Sequence, residues 1–246
     1  MAIVEGVTEF LPISSTAHLM FTAGVLGIPQ TEFVKSFEIA IQLGAMGAIV
    51  ALYAEKLRKN PVWVKKITIA FLPTGILGAV FYRVVKTYLL GNSWLAAGAM
   101  VVGGVILVKL LVRPGNLTIA KLSMKNALLV GLGQSVSMIP GVSRAAATMV
   151  AGMAVGMSRI EAVEFSFLLA VPTMAAATGW DLVKSGWSYT PGEWGILITG
   201  FIGAAVVAWW TVRWLVGYVA KRDLAVFGWY RIIFGVVWAA GLIFSQ

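Results

Sequence analysis

Long apolar runs, broken twice by short polar stretches around a proline, set the pattern of this chain. Runs close to the roughly 20 residues needed to cross hydrocarbon fall at about 36–54, 67–85, 94–112, 161–182, 193–217 and 225–244, predicting six membrane-spanning helices. Pro73 inside the second run predicts a kink. Polar punctuation separates the runs. A loop over 55–66 carries Lys56, Arg58, Lys59, Lys65 and Lys66; turns fall at Gly91-Asn92-Ser93 and at Arg113-Pro114-Gly115-Asn116; a Trp/Gly/Pro loop and then Lys221-Arg222-Asp223 divide the last three runs.

The two interruptions, at 1–25 and 124–157, have a different pattern: a half-length helix, a proline break, and a second half-length helix. In the first, Glu5 and Glu9 are four apart and share one helical face. Pro12 ends that helix, and Ser14 is a suitable N-cap for the next, on which Ser14 and Ser15 lie four and three residues before His18. In the second, polar Gln134, Ser135 and Ser137 precede Pro140-Gly141, and Ser143 and Arg144 head the following helix. Glu5 to Ser14 and Gln134 to Ser143 have the same spacing, and Glu38 and Glu164 each open the next apolar run. The pattern predicts an internal repeat with a period near half the chain, about 1–112 and 113–246, within one integral-membrane domain over 1–246.

Composition strengthens this reading. With 59% hydrophobic and only 12% charged residues, against about a quarter charged in soluble domains, the chain is an all-α polytopic membrane protein. The net charge of +9 is spread between apolar runs, which argues for cytoplasmic loops and against nucleic acid. If each broken pair enters and leaves on one face, 13 Lys and Arg fall on one side and four, Lys35, Arg83, Lys86 and Lys184, on the other. The rich side is then cytoplasmic. The first break dips in from outside and the second from the cytoplasm: two re-entrant hairpins in an inverted-topology repeat. Irregular backbone at membrane depth needs protein or water around it, so the breaks should meet around one polar cavity. No cysteine is present, which excludes disulfides and thiolate metal sites. No cleavable signal peptide is visible, and with Glu5 so close to Met1 a shortened or atypical N-terminus is expected.

Arg144 and Arg231 fall within membrane segments, where a charge is costly unless paired or wet. Arg144 at a helix start beside free N–H groups suits a phosphate or carboxylate. Gly141 permits close backbone approach. Glu5 and Glu9 suit a hard divalent cation that would also hold phosphate oxygens; alternatively one carboxylate orients His18 or a serine. Ser15 is a candidate nucleophile with Glu9 or His18 as its base. Each feature has a plainer reading: a proline kink, backbone-bonded hydroxyls, a structural histidine, carboxylates in water, Glu164 merely facing Glu38, and Lys221, Arg222 and the 55–66 cluster as topology signals. Two mirrored breaks carrying carboxylates, a histidine and an arginine are hard to explain that way.

At these residues the sequence resembles the undecaprenyl-diphosphate phosphatase family of bacitracin-resistance type. Glu5-Gly6-Val7-Thr8-Glu9-Phe10-Leu11-Pro12-Ile13-Ser14-Ser15-Thr16-Ala17-His18 matches its first signature, and Pro140, Gly141, Ser143, Arg144 and Thr148 its second. Phe37-Glu38, Gln42-Leu43-Gly44 and Glu164 to Pro172 add to the match, which covers essentially the whole chain. Ala145 stands where the family usually has serine and Ala17 where it usually has glycine, so Ala145 is left out of the site. The resemblance implies hydrolysis of undecaprenyl diphosphate to the monophosphate and inorganic phosphate, recycling the lipid carrier for cell-wall synthesis. It also implies dependence on a divalent cation (Mg²⁺ or Ca²⁺), a plasma-membrane location, an outward-facing site, six spans plus two re-entrant hairpins, and a homodimer. By carry-over, Glu5 and Glu9 hold metal or act as acid and base, and Ser15 or His18 attacks or assists. Arg144 with Ser14, Thr16, Ser143 and Thr148 grips the diphosphate. The nucleophile stays open between Ser15, His18 and a metal-bound water. The competing expectation is a transporter or flippase of the same polyprenyl phosphate lipids, since broken helices in inverted repeats are a common transporter build.

Overall fold

Several helices start where the sequence supplies a cap. In the computed structural model, which describes residues 1–29, 31–89, 91–109, 115–185 and 189–244, the described residues form ten α-helices and no strand pairing beyond an isolated bridge. They are α1 (Ala2–Thr8), α2 (Ser15–Val25), α3 (Glu32–Lys59), α4 (Pro61–Val84), α5 (Ser93–Lys109), α6 (Met124–Ser135), α7 (Arg144–Ala154), α8 (Arg159–Ser185), α9 (Pro191–Val219) and α10 (Ala225–Phe244). Thr31 and Ser123 accept from backbone N–H groups in the first turns of α3 and α6. Thr190 and Glu193 form a reciprocal capping box ahead of α9, with Pro191 at its first position.

Five helices, α3, α4, α8, α9 and α10, are long and apolar enough to cross a membrane, and α5 is a shorter apolar helix. The chain is a multi-pass membrane protein. Residues 110–112 of the third predicted run, Arg113 and Pro114 of its following turn, and 186–188 in the Trp/Gly/Pro loop lie outside the described residues. α4 runs on through Pro73 and passes into a π-helical turn, Val85–Leu89.

Two expectations change at the basic corner. The loop over 55–66 is helix almost throughout, because Pro61 starts α4 one residue after Asn60 closes α3. Lys66 is not a solvated topology charge: it is buried, and its Nζ donates to the carbonyls of Ile119 and Ala120, 2.8 and 2.5 Å away. Glu164 does not face Glu38 either. It accepts from Tyr53 and Lys56 near the far end of α3, tying α3 to α8 at 3.1 and 2.9 Å.

The half-helices are placed by the long ones. α1 packs on α9, α6 on α4, α7 on α8, and α5 runs along α10. A Cβ on Gly6 would meet Val207 and the backbone of Ala204 on α9, so glycine is what lets α1 lie this close. Phe10, fully buried in the first break, meets Phe167 of α8 edge-on at 5.4 Å. The two breaks are thereby carried into the interior.

Candidate active site

The breaks have matching backbone geometry. Ser14 and Ser143 are the only non-glycine residues with positive φ among those described, both at 70°. Each is an N-cap whose side chain accepts from the third N–H of its helix, Ala17 N at 3.4 Å and Ala146 N at 3.1 Å. A left-handed serine costs about 1–3 kcal/mol, and it persists twice, at equivalent positions. Gly141 has φ 90°, and a Cβ there would strike the Ala96 carbonyl of α5. The close approach it permits is therefore to α5.

Glu9 continues the α1 turn, its N–H donating to the Glu5 carbonyl at 2.9 Å, which keeps both carboxylates on one face. Its carboxylate joins the two breaks. Oε1 accepts from Arg144 Nη2 at 2.9 Å and Oε2 from the Ser15 hydroxyl at 2.5 Å. Arg144 Nη1 donates to the Ser166 carbonyl at 3.1 Å, and its Nε has no partner among the described residues. Ser15–Glu9–Arg144 is thus one continuous polar chain.

That chain lines a cavity of about 970 Å³. Glu9, Ser14, Ser15, Thr16, Ser143 and Arg144 form its polar end, and Phe71, Ile76, Val80, Met138, Ile139 and Met174 are among its apolar walls. Six of the nine residues expected at the site therefore share one cavity. Glu5, His18 and Thr148 are not in its lining.

Glu5 is fully buried beside Glu9, and neither carboxylate oxygen has a hydrogen-bond partner among the described residues. His18 Nδ1 donates to the Ser14 carbonyl at 2.7 Å, since a carbonyl can only accept. In the neutral ring Nε2 then accepts from the Tyr230 hydroxyl at 2.7 Å, and Phe234 stacks on the imidazole at 4.4 Å. Thr148 donates to the Arg144 carbonyl and to Gln134 Oε1. The Gln134 amide donates in turn to Thr74 and Thr173, which reach the cavity wall.

A family model described as Bacitracin resistance protein BacA matches residues 1–237. The chain belongs to this family. An undecaprenyl-diphosphatase of Aquifex aeolicus is 46% identical to it over 99% of this chain and 97% of the relative. Proteins of the same name from Sulfurihydrogenibium sp. and Thermus thermophilus are 42% and 40% identical, over 97% of this chain and 95% and 94% of theirs. The segments Glu5–His18 and Pro140–Thr148 build the cavity's polar end and the shell behind it.

Sequence reasoning did not assign Thr74, Thr173 or Tyr230, and it treated Gln134 only as the repeat counterpart of Glu5. The available signal was a polar side chain inside an apolar run, which costs free energy unless bonded. Thr74 and Thr173 each carry it, next to Pro73 and Pro172.

For a divalent cation, no group of three or more His, Cys, Asp or Glu converges among the described residues. A Mg²⁺ ion needs only one or two carboxylates when phosphate oxygens and waters complete its shell. Two unpartnered, fully buried carboxylate oxygens on Glu5, next to a Glu9 carboxylate with lone pairs to spare, fit that donor set.

Proposed function

We propose that this protein hydrolyses undecaprenyl diphosphate to undecaprenyl phosphate and inorganic phosphate at the outer face of the plasma membrane, returning the lipid carrier to cell-wall synthesis. The observation that carries this reading is Glu9 bridging the Ser15 hydroxyl and the Arg144 guanidinium at the polar end of an otherwise apolar-walled cavity. A lipid diphosphate has the same division, an anionic head on an apolar tail.

Ser15 is the nucleophile in this reading, because it alone combines a cavity position with a carboxylate base at hydrogen-bond distance. Its oxygen attacks the terminal phosphorus while its proton passes to Glu9. The bond from that phosphorus to the bridging oxygen breaks, and the lipid monophosphate leaves with those electrons. Water then attacks the phosphoserine, and its phosphorus–oxygen bond breaks as the serine oxygen takes back the proton from Glu9, releasing phosphate and restoring the hydroxyl. Arg144 holds the equatorial oxygens on which charge builds. His18, with both ring nitrogens engaged, positions Ser14 and hence the start of α2. A divalent ion held by Glu5 and Glu9 would neutralise phosphate charge. Phosphate release from a C55 diphosphate by the purified protein in detergent tests the reading. Release is expected, with Mg²⁺ or Ca²⁺ stimulating and EDTA abolishing it; no release with any divalent ion refutes hydrolysis.

The same reading takes α5 as a sixth span. Its 17 residues rise about 1.5 Å each, and it lies along α10. The α1–α2 and α6–α7 pairs are then re-entrant hairpins of two inverted halves. Cysteine labelling is clean in a cysteine-free chain. Lys59→Cys and Lys221→Cys should react only from the cytoplasmic side and Lys35→Cys only from outside; reaction of all three from one side contradicts inversion.

A further inference from the structure

Arg231 of α10 is fully buried and pairs with no carboxylate among the described residues. Instead its five N–H groups all go to backbone carbonyls. Nη1 donates to Pro12 and Val142 at 3.2 and 2.8 Å, Nη2 to Gly141 and Ala99 at 2.9 and 3.2 Å, and Nε to Met100 at 3.4 Å. Pro12 belongs to the first break, Gly141 and Val142 to the second, and Ala99 and Met100 to α5. One guanidinium therefore holds both breaks and the helix behind them.

The carbonyls it takes lie immediately upstream of the reacting groups. Pro12 is three residues before Ser15, and Val142 two before Arg144. A trans peptide points its N–H opposite its C=O. Turning the Val142 carbonyl onto Arg231 thus turns the Ser143 N–H away from the guanidinium, fixing the orientation in which α7 begins. The register of Ser15 against Arg144, two residues 129 positions apart by their numbers, has no covalent constraint, and the Glu9 bridge alone spans it on the cavity side.

We propose that Arg231 is a positioning residue: its fully occupied guanidinium locks the two breaks in register, so that Ser15 and Arg144 meet the same carboxylate. The catalytic part of this rests on the hydrolase reading; the locking does not. A lysine keeps the charge but has three donors on one point and cannot reach five carbonyls. Gly103 offers a second way to disturb the lock with Arg231 intact. A Cβ at Gly103 of α5 would collide with Nη2 and Cζ of Arg231, and a guanidinium tied by five bonds cannot swing aside.

The test uses the full-length protein in detergent with spin labels on Val7→Cys and Val136→Cys, two exposed sites just ahead of the breaks. Arg231→Lys and Gly103→Ala should both broaden the inter-label distance distribution. Both should lower kcat, Arg231→Lys by about 100-fold, the scale of a 1 Å misplacement at a reacting centre, with KM within about threefold because Arg144 and the apolar walls still take the substrate. A native distance distribution with native kcat in Arg231→Lys overturns the proposal. Should Arg231→Lys yield no folded protein, Gly103→Ala decides alone, and native behaviour there overturns it equally. If the native protein itself releases no phosphate, the hydrolase reading falls and the distances alone judge the lock.

Discussion

Arg144→Ala protein should fold in the membrane and lose phosphate release by about 1,000-fold or more, the lower range for removing an arginine that stabilises a phosphoryl-transfer transition state. The guanidinium is already oriented without substrate: one Nη is held by the Ser166 carbonyl, the other by Glu9, and Nε is unpartnered. Nothing has to reorganise when charge develops on the phosphoryl oxygens, which is the condition for a large electrostatic effect. Arg144→Lys should restore less than about a tenth of the loss, since a point charge cannot serve a carbonyl, a carboxylate and a phosphate in one plane. Arg144→Ala also strips a buried partner from Glu9, both side chains being nearly inaccessible at 10% and 6%. Breaking such a pair costs about 3–5 kcal/mol when fully buried. A double variant separates the two effects. Glu9→Gln in the Arg144→Ala background should recover thermal stability and no turnover. Near-native release from a folded Arg144→Ala protein removes the residue from the site.

Glu9→Gln alone should lower kcat by about 10²–10⁴-fold, the range for a lost general base, while lipid diphosphate binding persists. An amide can still satisfy Arg144 with its oxygen, but it cannot take the Ser15 proton. Binding then rests on Arg144 and the apolar walls of the cavity. This separates an enzyme from a carrier. A carrier gains nothing from a carboxylate next to its anionic cargo, so Glu9→Gln would leave its transport intact or faster. Measured together, a fall in phosphate release with retained binding supports hydrolysis. Unchanged release in Glu9→Gln rejects Glu9 as the base.

Local patterns carried much of this. The apolar runs marked the long helices, although α3 and α4 extend through what composition presents as a loop, because Lys and Arg are good helix formers and a proline at the first position starts a helix as readily as it ends one. That Glu9, Ser14, Ser15, Thr16, Ser143 and Arg144 gather at one polar end was legible because each is a polar residue placed within a few positions of a break. Their spacing already says which of them share a face.

What local pattern could not carry is which side chain finds which partner across the fold. His18 is three residues from Ser15, and helical spacing alone allows it into the site; the approach of α10 gives it Tyr230, 212 residues away, instead. Thr148 is in the second motif, yet its hydroxyl is shared between the Arg144 carbonyl of its own helix and Gln134, brought to it by the packing of α6 against α7. Lys66 counts as a loop charge until the segment at 119–121 lays two carbonyls over it. Arg231 is visible in the sequence only as a costly charge in an apolar run. Its role exists because α5 and two proline breaks, distant in sequence, bring five backbone carbonyls around one point. Periodicity reports the face a residue occupies on its own helix. The partner it meets depends on how helices pack, and that is settled by contacts between segments whose order along the chain says nothing of their distance in space.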